Sequence, residues 1–251
     1  MHSKTLFLLV FVAAVCGCEQ NVQRGETLPY KLFLENHIAA SGGKDAIESL
    51  KNVNIRLNIK EGENLMDAHY RANRDGQMRI DIYIGDARVF TEALSSANDG
   101  WQQDGEGANV KPLSDEGMGA LQRGVHFNLY GLHELSSLGY TLDYQGMTDF
   151  RGVEHYTIDI TSATGKFERR FYDPVTYLQA ASMDESALHV DVDATKTRNA
   201  TLHSDYREVS GVMMSFAETT IDLDQDKIIQ QAWLKQAEIN IDHDRDQFLR
   251  P

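Results

Sequence analysis

The chain has 251 residues and a formal net charge of −14, with 38 acidic side chains against 24 basic ones. A surface of that sign repels a polyanion, which excludes nucleic acid as a partner. Two cysteines in the whole chain exclude a disulfide framework, while 41% hydrophobic residues suffice for an ordinary buried core.

Both cysteines lie in "FVAAVCGCEQ" at 11–20. Lys4, an apolar run from Leu6 to Val15 and then small residues have the layout of a secretory signal. A bilayer-spanning helix needs about 20 apolar residues. Gly17 and Glu19 interrupt the run before that length, so no permanent transmembrane anchor is expected. "VCGC" at 15–18 resembles the bacterial lipobox, with Cys16 at a middle position where Ala or Ser is usual. The resemblance implies cleavage before Cys18, lipid on its thiol and membrane attachment through that lipid. With Glu19 rather than Asp next, it also implies an outer-membrane lipoprotein facing the periplasm. The alternatives are a plain signal peptide or a Cys16–Cys18 disulfide, whose one-residue spacing strains the bond geometry. The expected layout is a signal peptide at 1–17, a polar lipidated tether at 18–28 and one domain at 29–251.

A first helix is predicted from Pro29, with Thr27 as its cap and Tyr30, Phe33, Leu34, His37 and Ile38 on its apolar side. Gly42-Gly43 ends it, and a short second helix follows through Ala46, Ile47 and Leu50. From Val53 the period falls to two. Val53, Ile55, Leu57 and Ile59 share one face, and Asn54, Arg56, Asn58 and Lys60 the other, as in a half-buried strand. "QMRIDIYI" at 77–84 and "YTLDYQ" at 140–145 repeat the pattern, and further strands are predicted at 156–160, 167–172, 188–194, 200–206, 212–219 and 228–241. Glu61-Gly62, Asp75-Gly76, Gly85-Asp86, Arg151-Gly152, Thr164-Gly165, Asp173-Pro174 and Ser210-Gly211 read as the turns. Residues 112–139 interrupt the strands as one or two helices. Their second half (Val125, Phe127, Leu129, Tyr130, Leu132, Leu135, Leu138) is apolar on most sides, as in a segment surrounded by other groups.

The predicted fold is mainly β: a single curved antiparallel sheet, an incomplete β-barrel of about eleven strands, with the N-terminal helix and a central helical lid inside its curve. Such a sheet holds an apolar cavity or a fully packed core. Alternation places Ile55, Leu57, Met78, Ile80, Ile82, Leu142, Ile158, Met214 and Phe216 on the cavity wall, and Phe127, Leu129 and Leu132 in the lid.

Catalytic and metal motifs fail. "HELSS" at 133–137 has Ser137 where a zinc-protease helix needs its second histidine. "DLDQDKIIQQAW" at 222–233 has Lys227 and Trp233 where a calcium loop needs glycine and glutamate. There is no G-x-S-x-G and no phosphate-binding loop, so no enzyme and no cofactor is expected, although a Ser, His and Asp drawn from distant strands stays open. His189, Asp191 and Asp193 alternate against Leu188, Val190 and Val192, with His203 and Asp205 expected beside them on an outward face. These side chains can ligate a divalent ion, but they equally describe a solvated face, and no metal site is assigned. The terminal "IDHDRDQ" reads as a solvated charged end.

Five stretches, "HIAASGGKDAIESLKNVNIRLN" at 37–58, "NDGWQQD" at 98–104, "FYDPVTYL" at 171–178, "SDYREVSGVMMSF" at 204–216 and "FLRP" at 248–251, follow one another in an order that resembles the LolA/LolB-type carriers and outer-membrane lipoprotein-sorting proteins. Ser215 stands where many relatives have proline. The resemblance spans nearly all of the mature chain. It implies an incomplete antiparallel barrel whose cavity holds a lipid or the acyl chain of a lipoprotein, and it transfers no catalytic residue. The same fold also serves envelope sensors, so the second expectation is a lipoprotein with a packed core that acts through a protein partner.

Overall fold

The computed structural model describes residues 27–242 and 245–251. The expected signal peptide, Cys18 and most of the tether lie outside the described residues.

Thirteen antiparallel strands form one curved, open sheet. Six run outward from the centre: β1 (Asn52–Glu61), β2 (Asn64–Asn73), β3 (Met78–Ile84), β4 (Ala87–Ser96), β5 (Asp99–Gln103) and β6 (Val110–Pro112). Seven run back: β7 (Thr141–Phe150), β8 (Val153–Thr161), β9 (Phe167–Tyr172), β10 (Gln179–Ser186), β11 (Thr197–Val209), β12 (Val212–Asp222) and β13 (Lys227–Ile239). β13 pairs with β1 from Val53↔Ile239 to Lys60↔Gln231, so two meanders share a central seam and leave β6 and β7 as edges. The seven predicted turns all fall between consecutive strands. At Arg151-Gly152 and Ser210-Gly211 both residues have positive φ, the geometry that matches the twist of a two-residue hairpin.

The strand count exceeds the predicted eleven because several strands hide their period. β2 carries Ala68 and Ala72 at buried positions, too small to register as a hydrophobic face. β10 is hidden for a different reason: Ser182 and Asp184 alternate with a single buried Ala181. The strand predicted at 188–194 does not exist. Residues 187–196 instead connect β10 to β11, with one isolated bridge between His189 and Asp193. Leu188 and Val192, the supposed apolar face, are 37% and 67% exposed, so no core selects that conformation.

Three helices cover the concave face. α1 (Tyr30–Ala40) starts after Pro29 with no side-chain cap, so Thr27 does not play the predicted role. It ends at Gly42, where φ is 115° and a Cβ would overlap the Gly211 carbonyl; there the Ser41 carbonyl accepts from Met213 N at 3.1 Å. α2 (Lys44–Glu48) follows directly. α3 (Asp115–Leu129) is shorter than the predicted 112–139 segment. Ser114 caps it by accepting from Gly117 N at 3.0 Å, and Asp115 and Glu116 complement its dipole. Beyond Leu129 the chain reverses through a short 3-10 turn, Leu135–Leu138. No described helix is long and apolar enough to cross a membrane.

Two cores result. One lies under α3, where Val125 and Leu129 meet Val53, Ile55, Met78, Leu94 and Leu113. The other lies under α1, where the fully buried Phe33 sits 5.2–5.6 Å from the rings of Tyr144, Tyr156 and Tyr172, with Leu132, Leu135, Ile158 and Ile160 beside it. Burying such a ring contributes about 1.5–3 kcal/mol. On the outer face Asp81, 2% exposed, is held by Arg71, Arg79 and Thr91. The C-terminal stretch is only partly solvated as predicted: Asp242 and Asp246 are exposed, but Gln247 receives hydrogen bonds from Arg71 and Arg79, and Phe248 is fully buried beneath Trp101.

Candidate ligand cavity

α3 touches β1, β2 and β4, whereas the Phe33 face of α1 packs on β7, β8 and β9. Between these two covers lies a cavity of about 350 Å³. One wall is apolar: Ile55 and Leu57 of β1, Ile80 of β3, Met214 of β12 and Leu234 of β13, with Ile47 and Leu50 at the end of α2. Phe127 and Leu129 of α3 and Leu132 of the following turn close it on the lid side. Tyr70 adds a ring whose hydroxyl pKa is pushed up to about 12 by burial.

The opposite wall is polar. Arg170 and Tyr172 of β9, Gln179 of β10, His203 and Tyr206 of β11, Glu218 of β12 and His37 of α1 all reach it. Register explains the grouping, since Ser182 pairs with Arg170 across β9–β10 and His203 with Glu218 across β11–β12. Arg170 is 8% exposed; its Nε donates to Glu168 at 2.5 Å and its guanidinium stacks 3.9 Å from the Phe127 ring centre. Burial works against its charge, and the Glu168 carboxylate more than offsets that effect. His37 donates from Nδ1 to the Tyr177 carbonyl at 2.9 Å, and its pKa is lowered to about 4, mainly by burial and further by Arg170 and His133. It is therefore neutral at pH 7. Burial raises the pKa of Tyr206, whose hydroxyl donates to the Gln179 carbonyl at 2.7 Å.

Ser182, His203 and Glu218 lie in the order of a nucleophile, a base and its orienting acid. Glu218 is 3.3 Å from His203 Nδ1. The Nε2 atom is 2.9 Å from the Gln179 amide nitrogen but 3.5 Å from Ser182 Oγ, so Gln179 occupies the lone pair a nucleophile would need. The set is a hydrogen-bonded chain along a cavity wall.

Of the residues singled out by alternation, Ile55, Leu57, Ile80, Phe127, Leu129, Leu132 and Met214 line the cavity. The other five do not. Met78 is enclosed in the core under α3, and Ile158, with Leu142 packed against it, in the core under α1. Ile82 is half-buried further along β3, opposite Ala68, and the buried Phe216 lies under Arg207, 4.6 Å from the ring centre. Alternation identifies a face, and neighbouring helices decide how far along it the space is filled. Sequence reasoning missed the polar wall altogether. Its trace is Arg170 of β9, a buried charge that stands between Glu168 and Tyr172 on the inward row, opposite Ile158.

The expected group of His189, Asp191, Asp193, His203 and Asp205 is dispersed. His189 pairs with Glu61 at 3.0 Å, Asp191 accepts from Ser114 N at 3.2 Å at the start of α3, Asp193 accepts from Thr195 N at 2.9 Å and Asp205 pairs with Arg207 at 2.6 Å. His203 turns into the cavity instead of outward.

The fold recurs in solved structures. A LolA superfamily protein from Nitrosomonas europaea superposes with a TM-score of 0.56 at 10% identity, covering 89% of this chain and 98% of that one. The fold is LolA-like. A DUF1329 family protein from Desulfovibrio piger gives a TM-score of 0.57 at 12% identity, over 89% of this chain and 98% of its own. A domain assigned to the outer membrane lipoprotein-sorting proteins, from Vibrio parahaemolyticus, gives 0.57 at 10% identity, over 86% and 94%. No protein-family model matches the sequence, and no curated protein matches it. At these identities the LolA-like likeness is one of fold alone.

Proposed function

We propose that the protein is a lipoprotein of the bacterial cell envelope, tethered through lipid on Cys18 to the periplasmic side of the outer membrane, and that its LolA-like sheet binds or carries a lipid or the acyl chain of a lipidated protein. The observation that carries the reading is the apolar wall of Ile55, Leu57, Ile80, Met214 and Leu234, which belongs to the margin of the core under α3 and borders the cavity. Filling it with side chains would have been the simpler way to stabilise the sheet. An acyl chain laid against that wall gains about 0.8 kcal/mol per methylene removed from water. The tether keeps the cavity at the membrane surface, where such chains are found.

The test is native mass spectrometry of the chain from residue 19 onward, purified gently from a bacterial host, with organic extraction of what it carries. A stoichiometric lipid is the expected result, with Ile80→Glu, which puts a charge on the apolar wall, expected to lose it while staying folded. A clean apo mass that persists after incubation with lipid vesicles would refute the reading and direct attention to a protein partner.

A further inference from the structure

We propose that the polar wall of the cavity is a head-group site for a single-chain amphiphile bearing one carboxylate, a long-chain fatty acid, with Arg170 receiving the carboxylate and the chain lying on the apolar wall. The proposal rests on the reading of the cavity as a lipid site and narrows it.

The argument starts from a surplus of donors. Arg170 has five N–H groups and no acceptor atom of its own. Its Nε is taken by Glu168 and its guanidinium also reaches the Tyr172 hydroxyl, in a residue that is 92% buried. Beside it stands the hydroxyl of Tyr172, a residue 1% exposed; that hydroxyl has no acceptor for its proton, because its neighbour Arg170 can only donate. A buried donor left unmade costs about 1–3 kcal/mol. The Tyr172 hydroxyl is such a donor, and one ligand that brings oxygen acceptors to the cavity wall can receive it together with N–H groups of Arg170.

Charge selects among such ligands. Arg170 and Glu168 are neutral as a pair, and Glu218 adds a negative group to the same wall. His37 adds no positive charge, since it is neutral. A dianionic phosphate brings two negative charges to the wall that holds Glu218, whereas a single carboxylate brings one and accepts from Arg170 in the fork geometry that a guanidinium favours.

Volume selects the tail. About 350 Å³ corresponds to about a dozen water molecules at roughly 30 Å³ each. A methylene displaces about as much as a water, so the space matches one chain of about a dozen carbons. A protein-linked acyl chain presents no carboxylate to Arg170.

The experiment is calorimetric titration of dodecanoate, dodecan-1-ol and dodecyl phosphate, each below its aggregation concentration, into the chain from residue 19 onward, which contains every described residue. Dodecanoate is expected to bind at least tenfold more tightly than dodecanol and more tightly than dodecyl phosphate. Arg170→Met should abolish the preference for dodecanoate over dodecanol while dodecanol still binds. Should Arg170→Met fail to fold, Tyr172→Phe decides, because it leaves the Arg170–Glu168 pair in place; it is expected to weaken dodecanoate severalfold and leave dodecanol unchanged. Equal affinity for dodecanoate and dodecanol, a preference that survives both substitutions, or tighter binding of the phosphate overturns the head-group site but leaves the lipid cavity standing. Failure of all three probes to bind overturns the lipid reading itself, and this proposal with it.

Discussion

His37 shows what one buried side chain contributes to the pH behaviour of the protein. Its pKa falls from 6.5 to about 4, chiefly because burial disfavours the charged ring. Between those values the unfolded chain takes up a proton at His37 that the folded chain refuses, so acid favours unfolding. Stability is complete above pH 6.5 and is lost as pH falls towards 4, by on the order of 2–3 kcal/mol. His37→Asn removes the titrating ring, and urea unfolding at pH 7 and pH 4.5 should show a smaller acid loss than in the native chain. An unchanged acid loss would mean that the ring takes up its proton in the folded state too. Arg74 acts on the same scale as a clamp. It donates to the carbonyls of Ile47 and Leu129 at 2.9 and 2.8 Å, pairs with Glu134 at 2.7 Å and stacks 4.2 Å from the Tyr130 ring centre, joining α2, the end of α3 and the following turn at the cavity rim. Neither role was legible in the sequence. A histidine in an apolar helix face and an arginine in a hairpin turn are ordinary until their partners, 140 and 60 positions away, are known.

α3 is held at its start by the connection between β10 and β11. The Asp191 carboxylate reaches the Ser114 amide only because Gly117 has no side chain, as a Cβ there would overlap the carboxylate. Gly117→Ala sets two effects against each other. Alanine favours the helix by about 1 kcal/mol, while the carboxylate loses its seat. The expected outcome is a thermal midpoint changed by no more than a few degrees together with faster amide exchange across 187–196 and unchanged exchange in β1 and β13. Slow exchange throughout 187–196 in the variant would show that the connection is held by other contacts. The same connection misled the strand prediction. Alternation of Leu188, Val190 and Val192 with polar residues is a strand signal only if one face is buried, and here two of the three apolar side chains point to solvent at 37% and 67% exposure.

At the scale of the molecule, the cavity volume predicts a break in chain-length dependence. Each added methylene should tighten fatty-acid binding about fourfold, from about 0.8 kcal/mol per group, up to about a dozen carbons, where the tail reaches the end of the space. Longer chains should then gain little, and displacement of a fluorescent fatty acid across an even-numbered series measures this. A continuous gain to eighteen carbons would mean that the tail leaves the cavity along an extended apolar groove. Much of the architecture that produces this space was legible in the chain. The antiparallel class, the seven turns, the helical interruption and the face of β1 that points inward follow from a period of two, from glycine at turns and from an apolar run that lacks that period, all signals between near neighbours. Local signals could not supply the distribution of filled and unfilled space. Whether Ile80 borders a cavity while Met78, two positions back on the same face, is packed solid depends on where α3 crosses, and whether Ile158 is walled off depends on Phe33, more than a hundred residues earlier. The polar wall has the same origin. Arg170, His203 and Glu218 sit on β9, β11 and β12 of the second meander, so their common position depends on the register of successive hairpins and on no single stretch of sequence.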